Sequence, residues 1–516
     1  MENNYTTQVL IDKHINNGYL CEINKDYLGA IYHYDLGIKL DPKNARYYYL
    51  KGGAYYKNLD HENSLKAYNL AIEIDKQFGE AYCNRGILLL LMQAPKAALS
   101  DFLLAKRYLS ISGNINFYIG TTLLHLKQYR AAIHFYKKQL NLLPTCFDSH
   151  YGIGVALQMQ FKYEDALVSY AKSIEINSKH LNSYINCGNI LKVKNRIKEA
   201  ISFYESALFI SPNSIEANFN ISLLLLLIGD YANGWDKYEW RRNYLGLSGQ
   251  PYKGQAWLGN SDLRDKIILL YSEQGLGDSI QFCRFVSFVK SLGGRVILHV
   301  PKPLVELMRS LKGVDRVIPI DRKPKYHDFH CPLMSLPLVF GTTLNSIPMS
   351  EGYIKVDERK KNKWNKRMFN TPGVKVGLVW QGSDNPMVTN NWSNFNSRRN
   401  IPLAYIANAF NDINATFYSL QKGCIAEKEA EEYSEIYWPK NNFIAFPKEI
   451  EDFSDTAALI ANLDLVISVD TSVAHLSGAM GKTTWLLNRF DSCWRWLLDR
   501  TDSPWYKSIK LYRQEE

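Results

Sequence analysis

Hydrophobic and polar positions follow two different patterns, which divide the chain into two halves. In the first half a glycine recurs every 34 residues, and a small residue and an aromatic residue follow it after twelve and sixteen positions. Self-similarity at this period predicts stacked pairs of short helices. Because the glycine and the small residue have little side chain, two helix backbones can approach closely there. We expect the aromatic ring to fill the gap to the next pair.

The pattern holds register over six units. The glycines are Gly18, Gly52, Gly86, Gly120, Gly154 and Gly188; the small residues are Ala30, Ser64, Ala98, Ala132, Ala166 and Ala200; the aromatics are Tyr34, Tyr68, Phe102, Tyr136, Tyr170 and Tyr204. This pattern resembles the tetratricopeptide repeat and covers residues 8–244. A decayed seventh unit has Ser222, Gly234 and Tyr238 at these positions, and Trp235, Tyr238, Trp240 and Arg241 are typical of a cap against the next domain. The array implies a groove for a protein or peptide partner.

The second half predicts a parallel α/β architecture, because short apolar runs alternate with helical segments. The predicted strands are 266–271, 295–300, 316–320, 374–380, 416–420, 443–446, 463–469 and 483–487. A charged segment, 357–367, separates two Rossmann-like halves, residues 262–356 and 373–514. Two such halves leave a cleft at the carboxyl ends of their strands, where ligands bind.

Composition excludes several classes of protein. Residues 1–244 contain 27 of the 61 basic residues and 22 of the 51 acidic residues. The net charge of +10 is therefore spread evenly over the two halves, and it indicates no nucleic-acid partner. The longest apolar stretch, Ile221 to Ile228, is too short to span a membrane. Eight cysteines are scattered singly and residues 1–13 do not resemble a secretory signal, so we expect a cytoplasmic protein.

Two loops carry the candidate chemistry. Gly275, Gly277 and Asp278 follow the first strand of one half and open a helix, where glycines allow close approach of a ligand and Asp278 can cap the helix. At the matching place in the other half, the strand 463–469 ends at Asp470-Thr471-Ser472, and His475 lies one helical turn further. The hydroxyls and free N–H groups of such a helix start can hold a diphosphate.

Basic and polar residues follow two other strands of the second half, at Arg398-Arg399 and Gln421-Lys422, where they can neutralise phosphates or serve as solvated surface charge. Two other kinds of site, a phosphate-binding Walker loop and a metal site, are not supported by the spacing of their residues. The segment 478–483 lacks the Walker glycine spacing, and His327, His330 and Cys331 have no second ligand pair for a metal. Neither D-x-D nor G-x-S-x-G occurs in the chain.

The motifs GLGDS, WQGS, RRNIPL and SLQKG, with the long stretches 452–482 and 494–506, resemble bacterial proteins that join tetratricopeptide repeats to a heptosyltransferase-like glycosyltransferase domain. The resemblance covers residues 262–514. It implies a GT-B fold without metal or cofactor, in which the C-terminal half binds a nucleotide-diphosphate sugar as donor substrate. It also implies Asp278 as general base.

The same resemblance assigns the donor residues. Asp470, Thr471 and His475 match a donor-binding D-T-x-x-x-H pattern, with Ser472 where many heptosyltransferases have glycine, and Arg399 and Lys422 match phosphate-contacting residues. The resulting hypothesis is inverting sugar transfer to a hydroxyl, with the repeats recruiting a protein acceptor. A polysaccharide or lipid-linked acceptor, or a non-catalytic scaffold with a degenerate transferase fold, remain as alternatives.

Overall fold

The computed structural model describes residues 2–109, 113–247, 252–348, 352–368, 371, 373–382, 398–410, 412–438 and 442–515. The chain forms two compact units, residues 1–190 and 191–516. The boundary between them lies inside a helix of the repeats, Leu181–Val193, so the last repeats belong to the same compact unit as the sheets. The domain limits at 244, 262, 356 and 373 stay predictions.

The repeats are helical throughout, from α1 to α14. The helices are α1 Glu2–Ile23, α2 Tyr27–Leu40, α3 Ala45–Lys57, α4 His61–Ile74, α5 Gly79–Leu91, α6 Pro95–Tyr108, α7 Ile115–His125, α8 Tyr129–Leu142, α9 Phe147–Gln158, α10 Tyr163–Ile176, α11 Leu181–Val193, α12 Ile197–Ile210, α13 Ile215–Leu227 and α14 Tyr231–Tyr238. Each repeat is thus a helix pair, as predicted, and the decayed seventh unit also forms one. The short α15, Arg241–Tyr244, follows.

The repeated aromatic packs against the glycine of its own unit. A Cβ added to Gly86 would lie 2.7 Å from the Phe102 ring, and one added to Gly120 would lie 2.9 Å from Tyr136. The ring also reaches the following unit, as expected: Phe102 stacks on Tyr118 with ring centroids 5.4 Å apart, and Tyr136 touches Gly152. The helix-pairing contact is made within each unit, where glycine leaves room for the ring.

The turn inside each pair repeats a left-handed backbone conformation. Its residues, also 34 positions apart, are Lys25, Leu59, Gln93, Lys127, Phe161, Asn195 and Gly229, with φ between 54° and 83°. Only the seventh is a glycine, so the first six adopt a conformation that L residues rarely favour. Residues of several types adopt this left-handed conformation because the two flanking helices determine the path of the turn.

Neighbouring glycines in α3 allow a matched test of this packing. We expect Gly52→Ala to lower the free energy of unfolding by about 1–3 kcal/mol, because the new Cβ would lie 2.7 Å from the buried Tyr68 ring. Gly53→Ala should instead raise it by about 0.5–1 kcal/mol, because the nearest atom is the Tyr68 hydroxyl at 3.8 Å and alanine favours the helix. Urea unfolding followed by far-UV circular dichroism measures both. Equal effects of the two substitutions would contradict the packing described.

The first α/β half contains a five-stranded parallel sheet of order β1-β5-β2-β3-β4. Its elements are β1 Gln255–Ala256, β2 Ile267–Tyr271, α16 Leu276–Phe282, α17 Val286–Ser291, β3 Arg295–Val300, α18 Val305–Met308, β4 Arg316–Pro319, β5 Phe329–Pro332 and α19 Leu336–Val339. The sequence prediction missed β1 and β5. The charged helix α20, Glu358–Met368, follows as predicted.

The second half contains a six-stranded parallel sheet of order β11-β10-β9-β6-β7-β8. Its elements are β6 Val374–Val379, α21 Leu403–Phe410, β7 Ala415–Ser419, α22 Cys424–Tyr437, β8 Phe443–Ala445, α23 Phe453–Ala461, β9 Leu465–Val469, α24 Ser472–Ala479, β10 Thr484–Asn488 and β11 Ile509–Arg513. Two parallel sheets confirm the predicted α/β class.

The last repeat contributes to the core of the second unit. Trp235 packs edge-on against Trp494 with ring centroids 5.4 Å apart, and its indole N–H donates to the carbonyl of Thr342 at 2.8 Å. Arg241 is fully buried, and its guanidinium pairs with Glu273 at 2.7 Å. The predicted capping role of Trp235 and Arg241 is confirmed. In the part of the chain that the structure describes, no helix combines the length and apolar character needed to cross a membrane.

Candidate functional site

Most of the predicted site residues lie at one edge of the second sheet. The parallel strands β6, β7, β9 and β10 end at the same edge, which brings together the loops that follow them. Arg399 follows β6 in the chain, Lys422 follows β7 and Asp470 follows β9. Asp278 belongs to the first half, in the first turn of α16 after β2, and packing between α16 and α24 brings it toward this edge.

The start of α24 presents backbone N–H groups. Thr471 is its N-cap residue, in an extended conformation, and makes no side-chain capping hydrogen bond. The hydroxyl of Thr471 lies 3.0 Å from the hydroxyl of Ser468 instead. The first N–H groups of a helix have no partner within the helix and favour anions, so this helix start can hold a phosphate. Ser472 stands partly exposed at the first helical position.

His475 is buried behind this helix start. Its Nδ1 lies 2.9 Å from the Tyr506 hydroxyl, its ring stacks on Trp496 at 5.2 Å, and its Nε2 lies 4.0 Å from Oδ1 of Asp470. Burial lowers the pKa of His475 to about 3; Asp470 opposes the shift and Arg495 adds to it. The imidazole is therefore neutral at physiological pH, and can donate one hydrogen bond and accept one.

This burial predicts a pH dependence of stability. Between pH 6.5, near the pKa of an unfolded histidine, and about pH 3, the unfolded chain takes up a proton that folded His475 does not. Stability is therefore lost as the pH falls through this window, and is present above it. From pH 7 to pH 5 we expect the wild type to lose about 2 kcal/mol more than His475→Gln. All eleven tryptophans lie beyond residue 190, so urea unfolding followed by tryptophan fluorescence reports on this unit alone. Equal losses would contradict the burial of a neutral histidine.

Asp278 has two local partners. Its Oδ2 accepts the N–H of Gly275 at 2.9 Å, so the predicted capping of α16 is confirmed. Its Oδ1 forms an ion pair with the guanidinium of Arg495. That guanidinium also donates to Oε1 of Gln281 at 2.7 Å and lies over the Trp494 ring at 4.3 Å. The carboxylate is thus held in one orientation and is only 18% exposed.

The two candidate loops meet at Gly277. A Cβ on Gly277 would lie 2.8 Å from Cδ2 of His475 and 3.3 Å from Cα of Ser472. The glycine was expected to allow a ligand to approach; in the structure it allows the starts of α16 and α24 to approach each other. Gly277 of one α/β half therefore lies against the start of α24 in the other, and Asp278 is the next residue along α16.

Arg399 is close to this helix start. Its Nη1 donates to the carbonyl of Asp470 at 3.2 Å, and its guanidinium covers Gly382, where a Cβ would clash with it. Arg399 therefore adds a positive charge beside Asp470, as the sequence predicts for a phosphate contact.

Gln421 and Lys422 are arranged differently. The Gln421 amide oxygen accepts the N–H groups of Trp380 and Gln381 at 3.2 and 3.1 Å, and its nitrogen donates to the carbonyl of Gln381 at 3.0 Å. Gln421 thus fastens the ends of β6 and β7 together, and both ends of its amide are bonded to backbone rather than presented to a ligand. Lys422 is half-exposed and donates to the carbonyl of Pro447 at 2.6 Å.

A small cavity lies beyond Gln421, at the ends of β7 and β8. Its volume is about 120 Å³, and its lining includes Ser419, Gln421, Phe443, Phe446 and Pro447. Its lining combines aromatic rings with polar groups, and includes the carboxylates of Glu427 and Glu431.

Sequence reasoning missed several charged residues at the same edge. Asp491, after β10, pairs with Arg398 at 3.0 Å and Arg489 at 3.3 Å. Lys192 of α11 faces this group: burial lowers the pKa of Lys192 to about 8, Glu216 and Asp491 oppose the shift, and the two arginines add to it. A residue of the repeats thus joins the charges at the sheet edge. No single-sequence signal links Lys192 to Asp491, because only the fold brings them together.

Among the described residues, no group of three or more His, Cys, Asp or Glu side chains is arranged to hold a metal ion. His327 and His330, the residues considered for a metal, have ring centroids 6.4 Å apart beside β5.

Comparison with known proteins bears mainly on the repeats. A tetratricopeptide repeat model matches residues 45–78, which include α3 and α4. With the helix pairs described above, this establishes that the chain carries tetratricopeptide repeats. A curated relative, Protein FlbA of Caulobacter vibrioides, is 26% identical over 338 residues, covering 59% of this chain and 54% of FlbA. The chain therefore spans about half the length of this relative.

Two solved structures are similar to part of this chain. YrrB, described as a TPR protein with an unusual peptide-binding site, is 22% identical and covers 36% of this chain and 95% of its own, with a TM-score of 0.31. PilF of Pseudomonas aeruginosa is 16% identical, and the match covers 41% of this chain and 96% of PilF, with a TM-score of 0.37.

Proposed function

We propose that the second unit is a glycosyltransferase of GT-B type, which moves a sugar from a nucleotide-diphosphate sugar to a hydroxyl acceptor with inversion and without a metal. The observation that carries the proposal is the contact at Gly277: the first turn of α16, which carries Asp278, packs against the start of α24 in the other half. A base for the acceptor and a cradle for the leaving diphosphate are thus adjacent. The heptosyltransferase-like motifs point to the same chemistry.

In the proposed reaction the acceptor oxygen attacks the anomeric carbon and the bond from that carbon to the diphosphate oxygen breaks. Asp278 takes the acceptor proton, and the nucleoside diphosphate leaves with the bonding electron pair. The N–H groups at the start of α24 and the Arg399 guanidinium stabilise the charge that develops on the diphosphate. Arg495 and Gly275 hold the carboxylate in place, and each carboxylate oxygen keeps a further lone pair for the acceptor.

The nucleobase has a natural place in the cavity beyond Gln421. Phe443 and Phe446 line this cavity, and it lies on the same sheet edge as α24. Lys422, at the cavity rim through Pro447, can reach a phosphate or ribose oxygen.

Calorimetry with ADP, GDP, CDP and UDP tests donor binding. We expect one of them to bind the full-length protein, and Arg399→Ala to weaken that binding by about 10- to 100-fold, the effect of losing a charge-assisted hydrogen bond. Arg359→Ala, on an exposed position of α20, is the matched control and should bind normally. If none of the four binds the wild type, the scaffold alternative is favoured and the transferase proposal fails.

The repeats support a role in recruiting a protein acceptor, because such arrays bind polypeptides along their length. A deletion that tests this must respect the unit boundary. Removing residues 1–180 keeps α11 and the whole second unit, whereas a cut at 240 would remove Trp235 from its core. We expect the shorter protein to bind the nucleotide normally and to lose transfer to protein acceptors in a lysate, measured by mass spectrometry. Unchanged transfer would favour a polysaccharide or lipid-linked acceptor.

A further inference from the structure

Tyr506 has been given no role so far, either among the assigned site residues or in the proposed chemistry. It lies beyond α24 in the chain, is 3% exposed, and places its hydroxyl 2.9 Å from Nδ1 of His475. Its ring is itself fixed: the Arg284 guanidinium lies over it at 4.7 Å, and a Cβ on Gly478 would lie 2.6 Å from it. The phenol therefore has little freedom to leave His475.

The surroundings of His475 determine which ring nitrogen carries the proton. The imidazole is neutral, so it has one N–H and one lone pair. The Asp470 carboxylate lies 4.0 Å from Nε2 and favours a proton there, whereas Nδ1 faces the Tyr506 hydroxyl. Burial raises the pKa of Tyr506 to about 12, so the hydroxyl keeps its proton and can donate it to Nδ1. In a histidine, the hydrogen bond made by one nitrogen decides the protonation of the other.

We propose that Tyr506 is a positioning residue that holds His475 as the Nε2–H tautomer, so that a neutral N–H donor points toward Asp470 and the start of α24. The gap of 4.0 Å between Nε2 and Asp470 is longer than a hydrogen bond, so this N–H is available to an oxygen of the donor substrate. The inference rests on the proposed function for the identity of that oxygen. The arrangement of Tyr506 and His475 does not depend on it.

The tautomer can be measured without a ligand. Two-bond ¹⁵N–¹H correlation spectra of the full-length protein, labelled at its eleven histidines and assigned with His475→Gln, distinguish Nε2–H from Nδ1–H. We expect Nε2–H in the wild type and a mixture of tautomers in Tyr506→Phe. A wild type with Nδ1–H, or a variant with the unchanged Nε2–H tautomer, overturns the proposal. Tyr512→Phe, at an exposed position of β11, is the matched control for loss of a phenol.

Measurements of nucleotide affinity then show whether Tyr506 acts by orienting His475 or only by packing. With the nucleoside diphosphate that binds the wild type, we expect Tyr506→Phe to weaken affinity about 5- to 10-fold, the effect of one hydrogen bond. In a His475→Gln background the same substitution should change affinity less than twofold, because the glutamine amide donates without a tautomer to fix. An equal loss in both backgrounds refutes positioning through His475. A wild type that binds no nucleotide refutes the proposed function, whereas equal binding by the wild type and Tyr506→Phe refutes only the role of Tyr506.

Discussion

Asp278→Asn is expected to lower the rate of sugar transfer by about 10²- to 10⁴-fold, the usual contribution of a positioned general base. The asparagine oxygen can still accept the N–H of Gly275, so the cap of α16 survives, but the amide cannot take the acceptor proton. Donor binding should change little, because the proposed diphosphate site is the start of α24 rather than Asp278. Single-turnover transfer measured by mass spectrometry, with calorimetry of the nucleotide alongside, distinguishes the two effects.

The ion pair with Arg495 requires a control for this substitution. Loss of the Asp278 charge leaves Arg495 without its carboxylate, so unfolding monitored by tryptophan fluorescence should accompany the kinetics. Asp262→Asn, which breaks an exposed pair with Arg264, is the matched control and should transfer sugar at the wild-type rate. Transfer by folded Asp278→Asn within threefold of the wild type would exclude Asp278 as the base.

Arg241→Met is expected to lower the free energy of unfolding of the second unit by about 3–5 kcal/mol, because it leaves the buried carboxylate of Glu273 with only the guanidinium of Arg242, 3.6 Å away. The guanidinium of Arg241 is fully buried and bonds to Glu273 and to the hydroxyl of Ser335, each at 2.7 Å, and to Glu239 at 2.5 Å. Burial raises the pKa of Glu273 and the charge of Arg241 opposes that rise, so the pair depends on both members. Urea unfolding followed by tryptophan fluorescence measures the loss.

A second substitution, of Glu273, distinguishes the loss of charge pairing from the loss of packing around Arg241. Arg241→Met combined with Glu273→Gln should recover part of the lost stability, because the uncompensated charge is gone. Arg264→Met, at a side chain that is 79% exposed, should leave the stability close to that of the wild type. A small effect of Arg241→Met alone would show that the second unit does not depend on this buried pair.

The strands and repeats that could be predicted are those with a strong local pattern. The strand 295–300 was predicted to the residue because its core positions are uninterrupted, and the helix pairs followed from a 34-residue period. Strand β5 was missed because His330 and Pro332 interrupt its short run, and β11 because Lys510 and Tyr512 alternate with its buried residues at the sheet edge.

Sequence predicted the place of a candidate site residue only where that residue directly follows a strand. Asp470 and Thr471 follow the buried strand β9, so their place at the sheet edge was evident. The pairing of Asp278 with Arg495 joins positions 217 apart and depends on how two α/β halves pack. The place of Gln421 at the end of β7 could also be predicted, but the bonding of its amide to the end of β6 could not, because no pattern within β7 indicates it.

In each repeat the glycine and the aromatic residue that packs on it are sixteen positions apart, and this spacing fixes the length of the repeat. Adding or removing one residue within a helix between them turns everything beyond it by about 100° around the helix axis, and takes the ring off the glycine. The array can therefore change length only by whole units of 34 residues, or at the turns that join one unit to the next. Lengthening this protein's reach by engineering means duplicating an intact pair, such as α5 and α6, rather than extending a helix.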